Sequence, residues 1–410
     1  MTLSLQHPTA ICQCELTITG SKSESNRLLI LQALYPQLTI TNLSNSDDTQ
    51  VLQKALSSTE NTIDIHHAGT AMRFLTAYFA AYGNTKRILT GSQRMQERPI
   101  EVLVDALQKM GAQISYAKTT GYPPLEITPT LLNADHIALP ASVSSQYITA
   151  LMLIGGKLPN GLRIDLEGTI TSIPYIQMTS RLMERMGLAN TFVGNTIRVA
   201  HTPSIAPIET AVESDWSSAS YLYSILAIAK SGSIRLSHYR KDSLQGDAVL
   251  QKIYRQLGVA SQFDGDCLVL TKISDFTLPE ELRLDLVNAP DIAQTIAVSC
   301  VALGVGCTLT GLHTLKIKET DRLVALQNEL QKLGAQVQIT QDSLHLHPHA
   351  NLRAGVSIAT YKDHRMALAF APLALKVPLS IQEADVVSKS YPSYWDDLRT
   401  LQFDLEGLPK

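Results

Sequence analysis

A helix–glycine–strand pattern that recurs four times limits what this chain can become. The segments are Leu107-Gln-Lys-Met-Gly111-Ala-Gln-Ile, Met183-Glu-Arg-Met-Gly187-Leu, Tyr254-Arg-Gln-Leu-Gly258-Val and Leu330-Gln-Lys-Leu-Gly334-Ala-Gln-Val, with glycines 76, 71 and 76 residues apart. In each, an amphipathic helical stretch runs into the glycine and a strand follows. A glycine there suits a left-handed helix C-cap, where a β-carbon is costly. The strand leads to a turn, usually with Gly or Asp as at Gly194-Asn195 and Asp264-Gly265-Asp266, and then to a second strand.

A second series runs in register with the first. Polar residues open an apolar helix at Ser21-Lys-Ser, Gly69-Thr-Ala-Met-Arg73, Ser144-Ser-Gln146, Asp215-Trp-Ser-Ser, Pro290-Asp291 and Lys362-Asp-His-Arg365. Six openings in 410 residues give roughly 70 residues per unit, with two helices each. That period is too long for the common solenoids, and the mixed helix and strand content argues against a helical array. Six units divide naturally into three plus three. A chain of this length with 45% hydrophobic residues can fill two cores. Ile11–Thr19 precedes the first opening and can belong to a different unit, and the Pro-flanked stretch Ile205–Thr210 marks a domain crossing.

Several function classes are disfavoured. A net charge of -3 gives no reason to expect a nucleic-acid or membrane partner. Met1–Ala10 lacks the basic start and apolar run of a signal or transit peptide. Tyr221–Ala229 and Ile292–Gly306 fall short of the roughly 18–20 apolar residues that span a bilayer. Cys12, Cys14, Cys267, Cys300 and Cys307 lack metal-ligand spacing and read as reduced thiols of a cytosolic protein. His345, His347 and His349 alternate and would share one strand face, a weak metal signal; no metal is expected.

The helix openings instead suggest anion binding. A helix N-terminus offers free N–H groups and partial positive charge, and Ser, Thr and Gly let a ligand approach. Lys22, Arg27, Arg73 and Arg365 lie at these openings, where a cation opposes the macrodipole unless an anion joins it. Three clusters add to the set. Thr90-Gly-Ser-Gln-Arg94-Met-Gln-Glu-Arg98-Pro99 lies between a strand and the helix Ile100–Met110. Lys316-Ile-Lys318-Glu319-Thr-Asp321-Arg322 opens the helix of Leu323, Leu326, Leu330 and Leu333, which should place Lys318 and Arg322 on one face. Lys389-Ser-Tyr-Pro-Ser-Tyr-Trp395 precedes the final helix. So many cations suit substrates bearing carboxylates and phosphates. Asp291 and Glu319 stand among them as candidate proton-transfer groups.

These segments together resemble the 5-enolpyruvylshikimate-3-phosphate synthase family of enolpyruvyl transferases. The matching stretches, in family order, are Gly20-Ser-Lys-Ser23 with Arg27, Ser46-Asp-Asp-Thr49, Ala68-Gly-Thr-Ala-Met-Arg73, Leu89–Pro99, Ser144-Ser-Gln146, Ser172-Ile-Pro-Tyr175, Pro290-Asp291, Lys318-Glu-Thr-Asp-Arg322, Asp363-His-Arg-Met366 and Lys389. The resemblance implies an α/β (α+β) fold of two inside-out α/β barrel domains, each of three repeated helix-and-strand units, with a cleft between them that closes on substrate. One domain would be 20–212 and the other, discontinuous, 1–19 with 213–410. It implies transfer of the enolpyruvyl group of phosphoenolpyruvate to the 5-hydroxyl of shikimate 3-phosphate, in the cytoplasm, by a monomer without cofactor.

By position, the resemblance assigns catalysis to Asp291, Glu319 and Lys22. Shikimate 3-phosphate would contact Lys22, Ser23, Arg27, Ser144, Ser145, Gln146, Ser172, Asp291 and Lys318. Phosphoenolpyruvate would contact Lys22, Gly69, Arg94, Gln146, Arg322, Arg365 and Lys389. The chain departs from the family's commonest residues at His67, Phe74, Thr314 and Lys362, and Thr314 puts one shikimate 3-phosphate contact in question. The related enolpyruvyl transferase acting on UDP-N-acetylglucosamine is the alternative. It usually has a reactive cysteine near the Arg94 region, and no cysteine lies between Cys14 and Cys267. A non-catalytic phosphate-binding protein on the same scaffold would have no use for Asp291 and Glu319.

Overall fold

Gly111, Gly187, Gly258 and Gly334 adopt φ of 104°, 82°, 82° and 98° in the computed structural model, which describes residues 1–142, 144–170, 173–348 and 351–407. Each follows a helix from the repeat. After three of them the next residue's N–H turns back onto the last turn: Ala112 to Leu107 O at 2.9 Å, Leu188 to Met183 O at 2.9 Å and Ala335 to Leu330 O at 3.1 Å. Those bonds satisfy carbonyls that a helix end leaves open.

In chain order the helices are α1 (Lys22–Leu34), α2 (Asp47–Ser57), α3 (Gly69–Tyr82), α4 (Gln93–Gln96), α5 (Glu101–Lys109), α6 (Ser145–Gly155), α7 (Ile173–Arg185), α8 (Trp216–Ile228), α9 (Leu250–Arg255), α10 (Ala293–Leu303), α11 (Arg322–Lys332), α12 (His364–Phe370) and α13 (Tyr394–Thr400). All six predicted openings lie at helix starts, those of α1, α3, α6, α8, α10 and α12. The tract before α5 holds the extra short helix α4, capped by Ser92 accepting from the Met95 N–H.

The sheets repeat one connectivity, a parallel pair extended by an antiparallel hairpin. Thr62–Asp64 runs parallel to Arg87–Thr90, which is antiparallel to Leu125–Thr128, itself antiparallel to Gln113–Tyr116. The same order holds for His136–Pro140, Leu162–Glu167, Thr196–Val199 and Asn190–Val193. It holds for Ile11–Leu16, Ser231–Leu236, Cys267–Lys272 and Val259–Asp264, and for Glu281–Asp285, Gly306–Thr310, Leu344–Leu346 and Val337–Ile339. In a further sheet Val356–Ile358 and Leu379–Ile381 are completed by Leu3–Gln6 and Asp404–Glu406, strands from the two ends of the chain. A shorter sheet pairs Leu38–Thr41 with Ile208–Ala211 in parallel.

The chain divides into two compact units, 20–212 and 1–19 with 213–410. Within 20–212, α3 and α6 pack together and are buried on nearly every side. Within the other unit α10 packs on both α8 and α12, and all three are buried on nearly every side. Such helices belong inside a domain. Strands such as Leu162–Glu167 alternate buried and open positions, so the sheets cover the helices with one face and meet solvent with the other. This is the inside-out arrangement. It leaves the first turns of the buried helices as the places where their polar residues can act. No helix of the described residues is long and apolar enough to cross a membrane.

Candidate active site

In the 20–212 unit the helix starts are tied together by a few polar contacts. Asp48, in the first turn of α2, has a side chain only 5% exposed and lies 3.6 Å from Lys22 Nζ and 3.9 Å from His67 Nε2. One carboxylate thus joins the starts of α1 and α3. Gln146 Nε2 donates to Thr70 Oγ1 at 3.2 Å, joining α6 to α3, while the Gln146 N–H reaches Ser144 Oγ at 3.4 Å. Ser145 is buried and Ser144 exposed. Arg98 lies against the start of α3: a β-carbon on Gly69 would be 2.7 Å from its Nη1.

Arg27 and Arg73, expected at helix openings that receive an anion, do lie within the first two turns of α1 and α3. Both are buried. Arg27 Nη1 donates to the Ser23 carbonyl at 2.7 Å and Nε to Thr179 Oγ1 at 2.8 Å, joining α1 to α7. Arg73 donates to the carbonyls of Gly69 at 3.1 Å and Pro99 at 3.4 Å. Burial pulls both guanidinium pKa values down to about 10, and for Arg73 the nearby Arg98 adds to the fall. These bonds fix the starts of α1 and α3, and Arg27 Nη2, 3.4 Å from the Tyr175 carbonyl, is the most loosely held donor of that guanidinium. Arg94, on α4, is mostly exposed and pairs with Glu97 at 3.3 Å, outside this network. Ser172 lies outside the described residues.

The other unit holds a denser charge cluster, centred on Arg322 at the start of α11. Its side chain is 2% exposed and meets three carboxylates: Asp291 Oδ1 at 2.9 Å, Glu319 Oε2 at 2.8 Å and Asp363 Oδ2 at 2.7 Å. Asp291 also faces Lys318 Nζ at 3.6 Å and Arg365 Nη2 at 3.3 Å. Glu319 takes Lys389 Nζ at 2.5 Å. Asp363 caps α12 by accepting from the Arg365 N–H at 2.9 Å. The preceding Tyr361 and Lys362 take φ of 54° and 56°, a left-handed region that costs such residues about 1–2 kcal/mol each.

The electrostatics follow from this geometry. Burial by itself would raise the Asp291 pKa, but Arg365, Lys318 and Arg322 together outweigh it and hold the carboxyl well below its ordinary range. Burial opposes ionisation of Glu319 too, and Arg322 and Lys389 again prevail. Both groups are carboxylates at neutral pH, able to accept a proton or a hydrogen bond. Arg365 is buried, yet its Nε–H meets no hydrogen-bond acceptor among the described residues. A guanidinium donor left over in such a place suits an anionic ligand.

One sequence inference fails in detail. Lys318 is not on the α11 helix with Arg322, because Asp321 caps that helix by accepting from the N–H groups of Leu323 and Val324 at 3.2 Å each. Lys318 instead closes the short 3-10 turn His313–Ile317. The two cations still converge, because both reach Asp291 Oδ1. Sequence reasoning did not assign roles to Asp48, Asp363, Tyr221, Ser217 and Asp247. Asp48 and Asp363 stand inside recognised motifs; nothing local marks Asp247. His345 is engaged with Thr308 Oγ1 at 2.8 Å and packs edge-on to His347, while His349 lies outside the described residues. Among the described residues no group of His, Cys, Asp or Glu is arranged to hold a metal ion.

Comparison with known proteins adds the family. The model of the EPSP synthase (3-phosphoshikimate 1-carboxyvinyltransferase) family matches residues 51–398. A 3-phosphoshikimate 1-carboxyvinyltransferase of Bacteroides fragilis strain YCH46 is 44% identical over 395 residues, spanning 95% of this chain and 96% of that protein. One of Shewanella pealeana is 34% identical over 416 residues, spanning 94% and 96%. The solved structure of EPSP synthase from Acinetobacter baumannii superposes with a TM-score of 0.81 over 99% of this chain and all of that one, at 20% identity, a likeness of fold. Since the family match takes in most of the chain and the relatives align along nearly all of it, this chain belongs to the EPSP synthase (3-phosphoshikimate 1-carboxyvinyltransferase) family.

Proposed function

We propose that this chain transfers the enolpyruvyl group of phosphoenolpyruvate to the 5-hydroxyl of shikimate 3-phosphate, releasing phosphate, as a step of aromatic amino-acid biosynthesis. The observation that carries the reading, beside family membership, is the pair of half-buried carboxylates Asp291 and Glu319 kept ionised by Arg322, Lys318, Arg365 and Lys389. A fully compensated cluster would have no use for the uncommitted donor on Arg365; an incoming anion would.

The reaction is addition followed by elimination. The 5-hydroxyl of shikimate 3-phosphate attacks C2 of the enol and gives up its proton as C3 gains one, and the tetrahedral adduct then loses phosphate and a proton from C3. Asp291 is the base toward the hydroxyl, a role that its ionised state allows. Glu319, with Lys22 as partner, handles the C3 proton. Its carboxylate must first gain a proton. An anion that draws on the charge of Lys389 and Arg322 weakens their hold on Glu319 and raises its pKa toward that of an acid. Shikimate 3-phosphate is held by Lys22, Ser23, Arg27, Ser144, Ser145, Gln146, Ser172, Asp291 and Lys318. Phosphoenolpyruvate is held by Lys22, Gly69, Arg94, Gln146, Arg322, Arg365 and Lys389. These cations stabilise charge that builds on the carboxylate and the leaving phosphate.

The protein works in the cytoplasm as a monomer, on two small molecules and without a cofactor or a nucleic-acid or membrane partner. A steady-state phosphate-release assay tests the reaction. Release should require both substrates together. Release from phosphoenolpyruvate alone at the same rate would refute it.

A further inference from the structure

Asp247 follows Gln245-Gly246 in the turn Gly246–Val249 and is buried. Its Oδ2 accepts a hydrogen bond from Ser217 Oγ, in the first turn of α8. Ser217 Oγ in turn accepts from Arg365 Nη2 at 3.4 Å, and that same nitrogen lies 3.3 Å from Asp291 Oδ2. Arg365 Nη1 reaches Tyr221 Oη at 3.4 Å. A chain Asp247–Ser217–Arg365–Asp291 results, with a carboxylate at each end of one buried guanidinium. These contacts to the guanidinium are 3.3 Å and 3.4 Å long.

The donor pattern gives the chain a direction. An ionised Asp247 can only accept, so the one hydroxyl proton of Ser217 must point at it. The Ser217 oxygen then faces Arg365 as an acceptor. We propose that Asp247 is a positioning residue for phosphoenolpyruvate: through Ser217 it holds Arg365 beside Asp291, and its charge sets how strongly Arg365 attracts an incoming carboxylate or phosphate. This rests on the reading of Arg365 as a phosphoenolpyruvate contact. The charged groups facing Asp247 are Asp215 ahead of α8, Asp291 and Arg365, while Lys252 and Arg255 of α9 are exposed. Burial is the main reason its pKa rises from the ordinary 3.8 to about 6; the charge of Asp291 adds to the rise and Arg365 opposes it.

Three proteins separate charge from positioning: the unaltered chain, Asp247→Asn, which keeps an acceptor for Ser217, and Asp247→Ala, which does not. kcat and KM for phosphoenolpyruvate are measured from pH 5.5 to 8.5 with shikimate 3-phosphate saturating. Comparison at equal pH cancels the ligand's own titration. Asp247→Asn should lower KM by about tenfold above pH 7, the effect of one nearby charge, with the ratio approaching one below pH 6. Asp247→Ala should lower kcat about tenfold at every pH, as a loosened Arg365 loses its alignment. Parallel KM profiles for Asn and the unaltered chain overturn the charge role, and an unchanged kcat for Ala overturns the positioning role.

Thermal unfolding gives a readout independent of turnover. A carboxyl whose pKa is raised by folding costs stability progressively as pH climbs from 3.8 through about 6. The Asn variant should therefore melt several degrees above the unaltered chain at pH 7 and level with it at pH 4. A melting point at pH 7 no higher than that of the unaltered chain contradicts a buried ionised Asp247 and with it the proposal. If the unaltered chain released no phosphate, the reaction assignment would fall while the thermal result for Asp247 still stood.

Discussion

Replacing Arg322 with glutamine should unfold the 213–410 part of the protein at a markedly lower temperature, and the structure indicates by how much. Asp291 would keep Lys318 and Arg365, and Glu319 would keep Lys389. Asp363 fares worse: its side chain is 0% exposed and Arg322 is its only Arg or Lys ion-pair partner among the described residues. It would retain the Arg365 N–H at 2.9 Å and His364 Nδ1 at 3.6 Å. Stranding one buried charge by removing its partner costs about 3–5 kcal/mol. For a unit of some 200 residues that is a fall in melting temperature on the order of 10 °C. The sign of the pH dependence follows from Asp291 and Glu319, whose folded pKa values lie well below their ordinary 3.8 and 4.5. Stability from a depressed carboxyl is present above the ordinary value and is lost as pH falls through the folded one. Arg322 contributes to both depressions, so the gap between the two proteins should narrow below about pH 4. Differential scanning calorimetry at pH 7 and pH 3.5 reads both effects. A shift under 2 °C at pH 7 (against the estimate above), or a gap just as wide at pH 3.5, would refute the reasoning.

Three more outcomes are expected. Asp291→Ala should cut kcat by about 10²–10⁴, the span of general-base catalysis, with calorimetric affinity for both substrates nearly intact; near-normal turnover removes Asp291 from the mechanism. Lys22→Ala should weaken both ligands by about tenfold or more, the loss of a charge-assisted hydrogen bond to each, and unchanged affinity for either contradicts a bridging role. Gly69 leaves room for glyphosate, a small anion with a carboxylate and a phosphonate, beside bound shikimate 3-phosphate; Gly69→Ala should raise its inhibition constant well above any change in KM for phosphoenolpyruvate, because the new methyl, placed 2.7 Å from Arg98 Nη1, must push that cation aside; equal changes would rule this out.

What could be read without coordinates was local. The four C-cap glycines and six helix openings depend on residues within one or two turns, and each lies at a helix end in the structure. Lys318 was misplaced for an equally local reason. Asp321 is a good N-cap, and giving it that role starts the helix at Arg322 and leaves Lys318 outside it. Arg27 and Arg73 show the limit of counting cations, since burial and backbone carbonyls, both set by packing, decide what a guanidinium serves. The contacts of Arg322 with Asp291 and Asp363 span 31 and 41 residues. The link of Arg365 to Ser217 spans 148, and no local pattern encodes a separation of that kind.

The most direct test is a phosphorus-31 and proton NMR record of the purified protein turning over phosphoenolpyruvate with shikimate 3-phosphate. Loss of phosphoenolpyruvate should match, mole for mole, the gain of inorganic phosphate and of a phosphorylated cyclohexene bearing a new pair of vinyl protons. Phosphate appearing with pyruvate while shikimate 3-phosphate stays unchanged would contradict the assignment.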